Sequence, residues 1–151
     1  MHLDIIARYL VIVGAAIFLI LGILHGILTL QDLSEPRTFT PPDKVLRQAM
    51  QESSIAIHPH TNLWQAWLGF NLSHSLGLVM FGGTFLAIGL FYFQVLDRSY
   101  WLQCCAIFIA TTYLVMSLKF WFYKPAIASS IALTCFVLAS GLLLLKLGDR
   151  E

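Results

Sequence analysis

Residues Tyr9–Leu30 read YLVIVGAAIFLILGILHGILTL, with no Asp, Glu, Lys or Arg among them. A helix rises about 1.5 Å per residue, so some 20 residues cross a hydrocarbon core of about 30 Å. The stretch is predicted to span a membrane. A cleavable signal peptide has a shorter apolar core, about 7–15 residues, ending in small residues. Leu24-His25-Gly26 is a poor cleavage site. The stretch is therefore expected to stay in place as a helix.

Three further apolar stretches follow, at about 62–93, 100–120 and 125–147. Pro125 suits the first turn of a helix, where its missing N–H is not needed. The second and third links, around Gln94–Ser99 and Trp121–Lys124, are short, which forces antiparallel neighbours. Only the first connection, 31–61, is long, and Pro36, Pro41 and Pro42 break its start. Within it, about 42–53 can form a short amphipathic helix, with Val45, Leu46, Ala49 and Met50 as its apolar stripe. The expected fold is all-α: an integral membrane four-helix transmembrane bundle with a long first connection, one transmembrane domain over 1–151. Four spans put both termini on one side, with Arg8, Arg98, Lys146 and Arg150. Arg37, Lys44, Arg47, Lys119 and Lys124 fall on the other. That near tie leaves the positive-inside rule almost silent.

Composition narrows the function classes. The chain is 58% hydrophobic and 11% charged, whereas a soluble domain carries about 25% charged residues. A water-soluble globule is disfavoured, and the lipid bilayer is the first partner. Net charge is +1, without a basic run, so nucleic acid is not an expected partner. Cys104, Cys105 and Cys135 lie in apolar stretches with no C-x-x-C pair, and read as small hydrophobes.

One span is less greasy than it should be. It carries Asn71, Ser73, His74 and Ser75, and polar groups in hydrocarbon usually face a bundle interior and often mark function. In the first span Gly22 and Gly26 form a small-xxx-small pair, which lets helices approach closely. At 100° per residue His25 projects between them, with Thr29 beside it. In the second span Gly69, Ser73 and Gly77 form a small seam. Trp67, Asn71, His74 and Leu78 form another face. The candidate ligand-binding set is His25, Thr29, Trp67, Asn71 and His74.

The chemistry open to this set is limited. His25 and His74 lie at depths of about 7 Å and 15 Å, an offset of about one turn. That counts against a shared haem, which needs axial imidazoles at matched depth. A metal wants three or four ligands, and every acidic residue is expected in a connection or tail. No Ser-His-Asp arrangement falls in one layer. Catalysis would rest on histidine alone, which argues against an enzyme. No cofactor is assigned. His58 and His60 flank a proline in the connection and read as solvated residues near the mouth of the bundle.

His25-Gly26 near the end of helix one, Pro41-Pro42 and Ala49-Met50 in the connection, and Gly69-Phe70-Asn71-Leu72-Ser73-His74 in helix two carry a likeness. They resemble a group of small bacterial four-helix membrane proteins of unassigned activity. The resemblance covers most of the chain, implies four spans in a bacterial inner membrane, and supplies no reaction. The expected function is to bind a small apolar ligand, such as a quinone or lipid, or a partner helix, through a polar intramembrane pocket. The alternative is a haem- or quinone-binding redox subunit.

Overall fold

A computed structural model describes residues 2–148; Arg150, placed above on the terminal side, lies outside the described residues. The fold is all-α, with four helices long and apolar enough to cross a membrane. In chain order the helices are α1 (His2–Ser34), α2 (Lys44–Glu52), α3 (Leu63–Phe91), α4 (Phe93–Arg98), α5 (Tyr100–Phe120) and α6 (Tyr123–Gly148). The first helix extends beyond the expected 9–30 at both ends. It stops where Pro36 cannot continue it, with the Ser34 hydroxyl and the Glu35 N–H both donating to the Gln31 carbonyl.

The connection holds more structure than the sequence suggested. Asp43 caps α2 by accepting the Val45 N–H at 2.8 Å. Two short strands then pair antiparallel, β1 (Ser54–Ile55) with β2 (His58–Asn62). Of the proposed α2 stripe only Met50 is buried, while Val45 is 75% and Leu46 50% exposed. Entry into α3 is a capping box. Asn62 Oδ1 accepts the Gln65 N–H at 2.8 Å, and Gln65 Oε1 accepts the Asn62 N–H at 3.1 Å, which satisfies two donors reciprocally. The link after α3, expected to be loop, is mostly α4. Ser99 closes it by capping α5, and the buried Gln103 side chain donates to the Leu96 carbonyl at 3.0 Å.

The described chain falls into two compact units. One is built from the chain up to Ile20 and from Val79 onward; the other is Leu21–Leu78. The first unit is a four-helix packing around rings. Phe18 of α1 meets Phe81 of α3 edge-on at 5.1 Å and Tyr113 of α5 at 5.5 Å. Phe136 of α6 meets Phe81 at 5.8 Å and Phe85 at 5.7 Å. Aromatic pairs at these separations add about 0.5–1.5 kcal/mol beyond burial. Around the rings Ala7, Ala15, Ala106, Ala110, Ala132 and Ala139 are buried, and small residues let helix backbones close up. The outer faces carry large exposed apolar side chains such as Ile20, Phe108, Leu118 and Leu145, which hydrocarbon solvates.

Of the proposed Gly69–Ser73–Gly77 seam, Gly69 and Ser73 make no helix contact in this structure. A Cβ at Gly69 would meet nothing within 4 Å, and Ser73 is exposed with its hydroxyl donating to the Phe70 carbonyl. In the first unit the close approach is at Gly82, where a Cβ would sit 2.8 Å from the Ala15 carbonyl oxygen. Gly89 also lies against α1, at Ile12. Gly82→Ala should therefore lower stability by about 1–3 kcal/mol, the usual cost of overpacking. Gly69→Ala should be neutral, or stabilise by up to about 1 kcal/mol, as Gly→Ala in an open helix position does. Unfolding of the two variants in the same detergent checks this, and equal losses would contradict the packing.

The four spans also set which chain positions share an aqueous face. In a variant lacking Cys104, Cys105 and Cys135, single cysteines at Asp43 and Lys124 should label from one side of sealed vesicles. A cysteine at Arg98 should label from the other.

Candidate functional site

The unit formed by Leu21–Leu78 brings the end of α1 against the start of α3, and three of the five candidate residues meet there. The His25 ring lies 5.3 Å from the His74 ring, edge to face. The one-turn depth offset inferred from the sequence does not separate them, because two imidazole side chains reach across it. His25 Nε2 lies 3.1 Å from Asn71 Oδ1.

The orientation of Asn71 fixes the chemistry of that contact. Its Nδ2 donates to the Trp67 carbonyl, 2.8 Å away and one turn back on the same helix. The amide oxygen therefore faces His25, and oxygen only accepts. So His25 Nε2 carries the proton, and in the neutral ring Nδ1 is the acceptor. Asn71 is 2% exposed, which makes both ends of its amide committed to protein.

The other two candidates serve the frame. Thr29 is fully buried, and its hydroxyl donates to the His25 carbonyl at 2.8 Å; this is the ordinary back-bond of a hydroxyl in a membrane helix. Trp67 enters the network through its backbone carbonyl. Its indole stacks on Trp64 at 5.3 Å.

Ser75 packs the two helices together. Its hydroxyl donates to the Gly22 carbonyl of α1 at 2.7 Å. A Cβ on Gly26 would stand 2.6 Å from the same oxygen, so the small-xxx-small pair on α1 has the role the sequence suggested. Its partner face on α3 is Asn71–Ser75–Leu78, all buried, with the spacing i, i+4, i+7 of a single helix face.

Sequence reasoning missed Asp32 and Phe39. Asp32 was placed in the connection, but it lies in the last turn of α1 and is 1% exposed. Its carboxylate accepts four successive backbone N–H groups: Arg37 at 2.9 Å, Thr38 at 2.8 Å, Phe39 at 2.6 Å and Thr40 at 2.9 Å. The Thr40 hydroxyl adds a fifth bond at 3.1 Å. A buried charge needs this density of donors to be tolerated. The result folds residues 37–40 back onto α1 and lays the Phe39 ring on His25, centroids 4.5 Å apart. On the other side Phe70 stacks along His74 at 6.0 Å. The two imidazoles therefore stand in a line of rings. The signal for Asp32 was weak: an acidic residue at a helix end, four positions before a proline. The nest it fills depends on loop backbone geometry.

His58 and His60 sit on β2 and are exposed, rings 5.7 Å apart. His58 Nδ1 is 3.0 Å from the Thr61 hydroxyl. Among the described residues no group of three or more His, Cys, Asp or Glu is placed to hold a metal ion.

Removing the Asp32 carboxylate leaves buried donors without an acceptor, and each such group costs about 1–3 kcal/mol. Asp32→Ala should destabilise the protein more than Asp43→Ala, which removes only an exposed cap worth about 1 kcal/mol. It should also release the chain around Arg37, read as faster tryptic cleavage there at a temperature where the spans remain folded. Unchanged cleavage would mean the carboxylate does not hold this segment.

In comparisons with protein-family models, curated proteins and solved structures, nothing matches this chain.

Proposed function

We propose that this integral membrane protein, set in a bacterial inner membrane, binds a small apolar ligand with a polar head at the His25–Asn71–His74 cluster. The observation that carries the reading is the pair of half-buried imidazoles in ring contact, one of them oriented by a buried amide. Structural glue needs one interhelical hydrogen bond, and Ser75 to Gly22 already supplies it. The imidazole pair adds groups that both donate and accept, flanked by Phe39 and Phe70. Flat aromatic walls with a few convergent polar groups suit a conjugated ring ligand. A quinone fits that description, with its carbonyl or hydroxyl on an imidazole and its ring against the aromatic side chains. A lipid alcohol shares the polar part of the chemistry without the ring.

The haem alternative is less favoured on geometry. Two axial imidazoles must stand apart with the macrocycle between them, and here the rings touch each other. The buried amide that orients His25 and the rings that flank the pair favour binding over turnover.

A short-chain benzoquinone tests it. Quinones quench indole fluorescence, and Trp67 and Trp64 lie about two and about three turns from His74 on α3. Saturable quenching is expected for the wild type. His74→Leu should abolish the saturable part while the unfolding midpoint in detergent stays within a few degrees. Quenching that rises linearly with quinone in both proteins, as partitioning into the micelle alone would give, counts against the site.

A further inference from the structure

A second candidate site lies wholly within the unit built from the chain up to Ile20 and from Val79 onward. It is an open cavity of about 890 Å³, and its walls include Arg8, Phe91, Tyr92, Arg98, Tyr100 and Lys146. These residues come from the second turn of α1, the end of α3, α4, the start of α5 and the last turns of α6. All four spans of the unit therefore terminate around it, which sets the cavity at the level where hydrocarbon gives way to headgroups.

Its charges are not evenly matched. Among the described residues two carboxylates line the wall, Asp4 and Asp97, against three cations. Both carboxylates pair with Lys146; the Asp97 contact is 2.8 Å. Lys146 is nearly enclosed by them, its side chain 13% exposed. The two guanidiniums are left to face the cavity. Arg8 is anchored from behind, its Nε donating to the Gly89 carbonyl at 2.8 Å and its Nη2 to the Leu90 carbonyl. Of the five N–H donors of a guanidinium, three remain for another acceptor. Arg98 is exposed, and among the described residues no carboxylate or carbonyl pairs with it. Tyr92 and Tyr100 add exposed phenol groups, and Ile5, Phe91 and Val95 give the wall a large exposed apolar surface.

We propose that this cavity binds the phosphate of an anionic membrane lipid, held between Arg8 and Arg98, with the acyl chains lying along Ile5, Phe91 and Val95. Guanidinium presents parallel donors that match two phosphate oxygens, which makes it the preferred side chain for this group. Basic recesses at the ends of membrane helices are where anionic headgroups bind. A free phosphate would satisfy the arginines equally. The exposed apolar wall and the position at the span ends favour the lipid.

Native mass spectrometry of the detergent-purified protein, titrated with phosphatidylglycerol or phosphatidylcholine, tests the assignment. Phosphatidylglycerol should bind with at least tenfold preference. Arg98→Gln should weaken it about tenfold, equivalent to about 1.4 kcal/mol, and Arg98→Lys should restore most of the loss. The unfolding midpoint of Arg98→Gln in phosphatidylcholine should match wild type, since the residue is exposed. Equal binding of the two lipids, or unchanged phosphatidylglycerol binding in Arg98→Gln, overturns the proposal. Displacement of the lipid by millimolar inorganic phosphate would make this a site for the free anion and overturn the lipid assignment.

Discussion

Hydrocarbon offers no hydrogen bonds, so each polar group carried into a span must find its partner in the protein. The side chains of this protein follow that constraint in two ways. Thr29, Thr111, Thr112, Ser130 and Thr134 donate to the carbonyl one turn back on their own helices. They cost little and organise nothing else. Ser75, Asn71 and His25 instead reach between α1 and α3. That second group fixes the register of the two helices, and the candidate site is built on it.

The contact between His25 and Asn71 gains its definition from a chain of dependence. The Trp67 carbonyl takes the amide N–H, which turns the amide oxygen outward and sets the tautomer of His25. His25 is then limited on its other side by Phe39, whose position is held by the Asp32 carboxylate several residues away in sequence. Burying a carboxylate is expensive, and five donors converge to offset it. The arrangement gives the long connection a fixed point at the helix end. Charge is handled differently in the other unit, where Lys146 pairs with two carboxylates and, among the described residues, no carboxylate is left for the arginines of that cavity.

Most of the fold was legible in the sequence because it follows from one property, long apolar runs separated by polar or proline-rich breaks. Four spans, the short later links and the long first connection need nothing beyond helix rise and membrane thickness. The capping box at Asn62 and Gln65 went unread, although its spacing carries the signal. The two strands in the connection were not legible. They are short, and their pairing depends on the turn between them. Small-residue spacing succeeded for Gly22 and Gly26 and failed for Gly69 and Ser73. Both stripes have the same period, and a period does not say which stripe meets a helix and which meets lipid.

The sequence by itself determined that this is a membrane protein with His25, Asn71 and His74 at the core of its polar face. That followed because an imidazole or an amide is too costly in lipid to be placed without a partner. Only the tertiary structure decided that the two histidines touch despite their offset in depth, and that Asn71 orients one of them. It also showed that Asp32 is a buried anchor rather than a loop residue. Those outcomes depend on side-chain reach across a helix contact and on backbone N–H groups converging from a folded loop, and neither is encoded in helical periodicity.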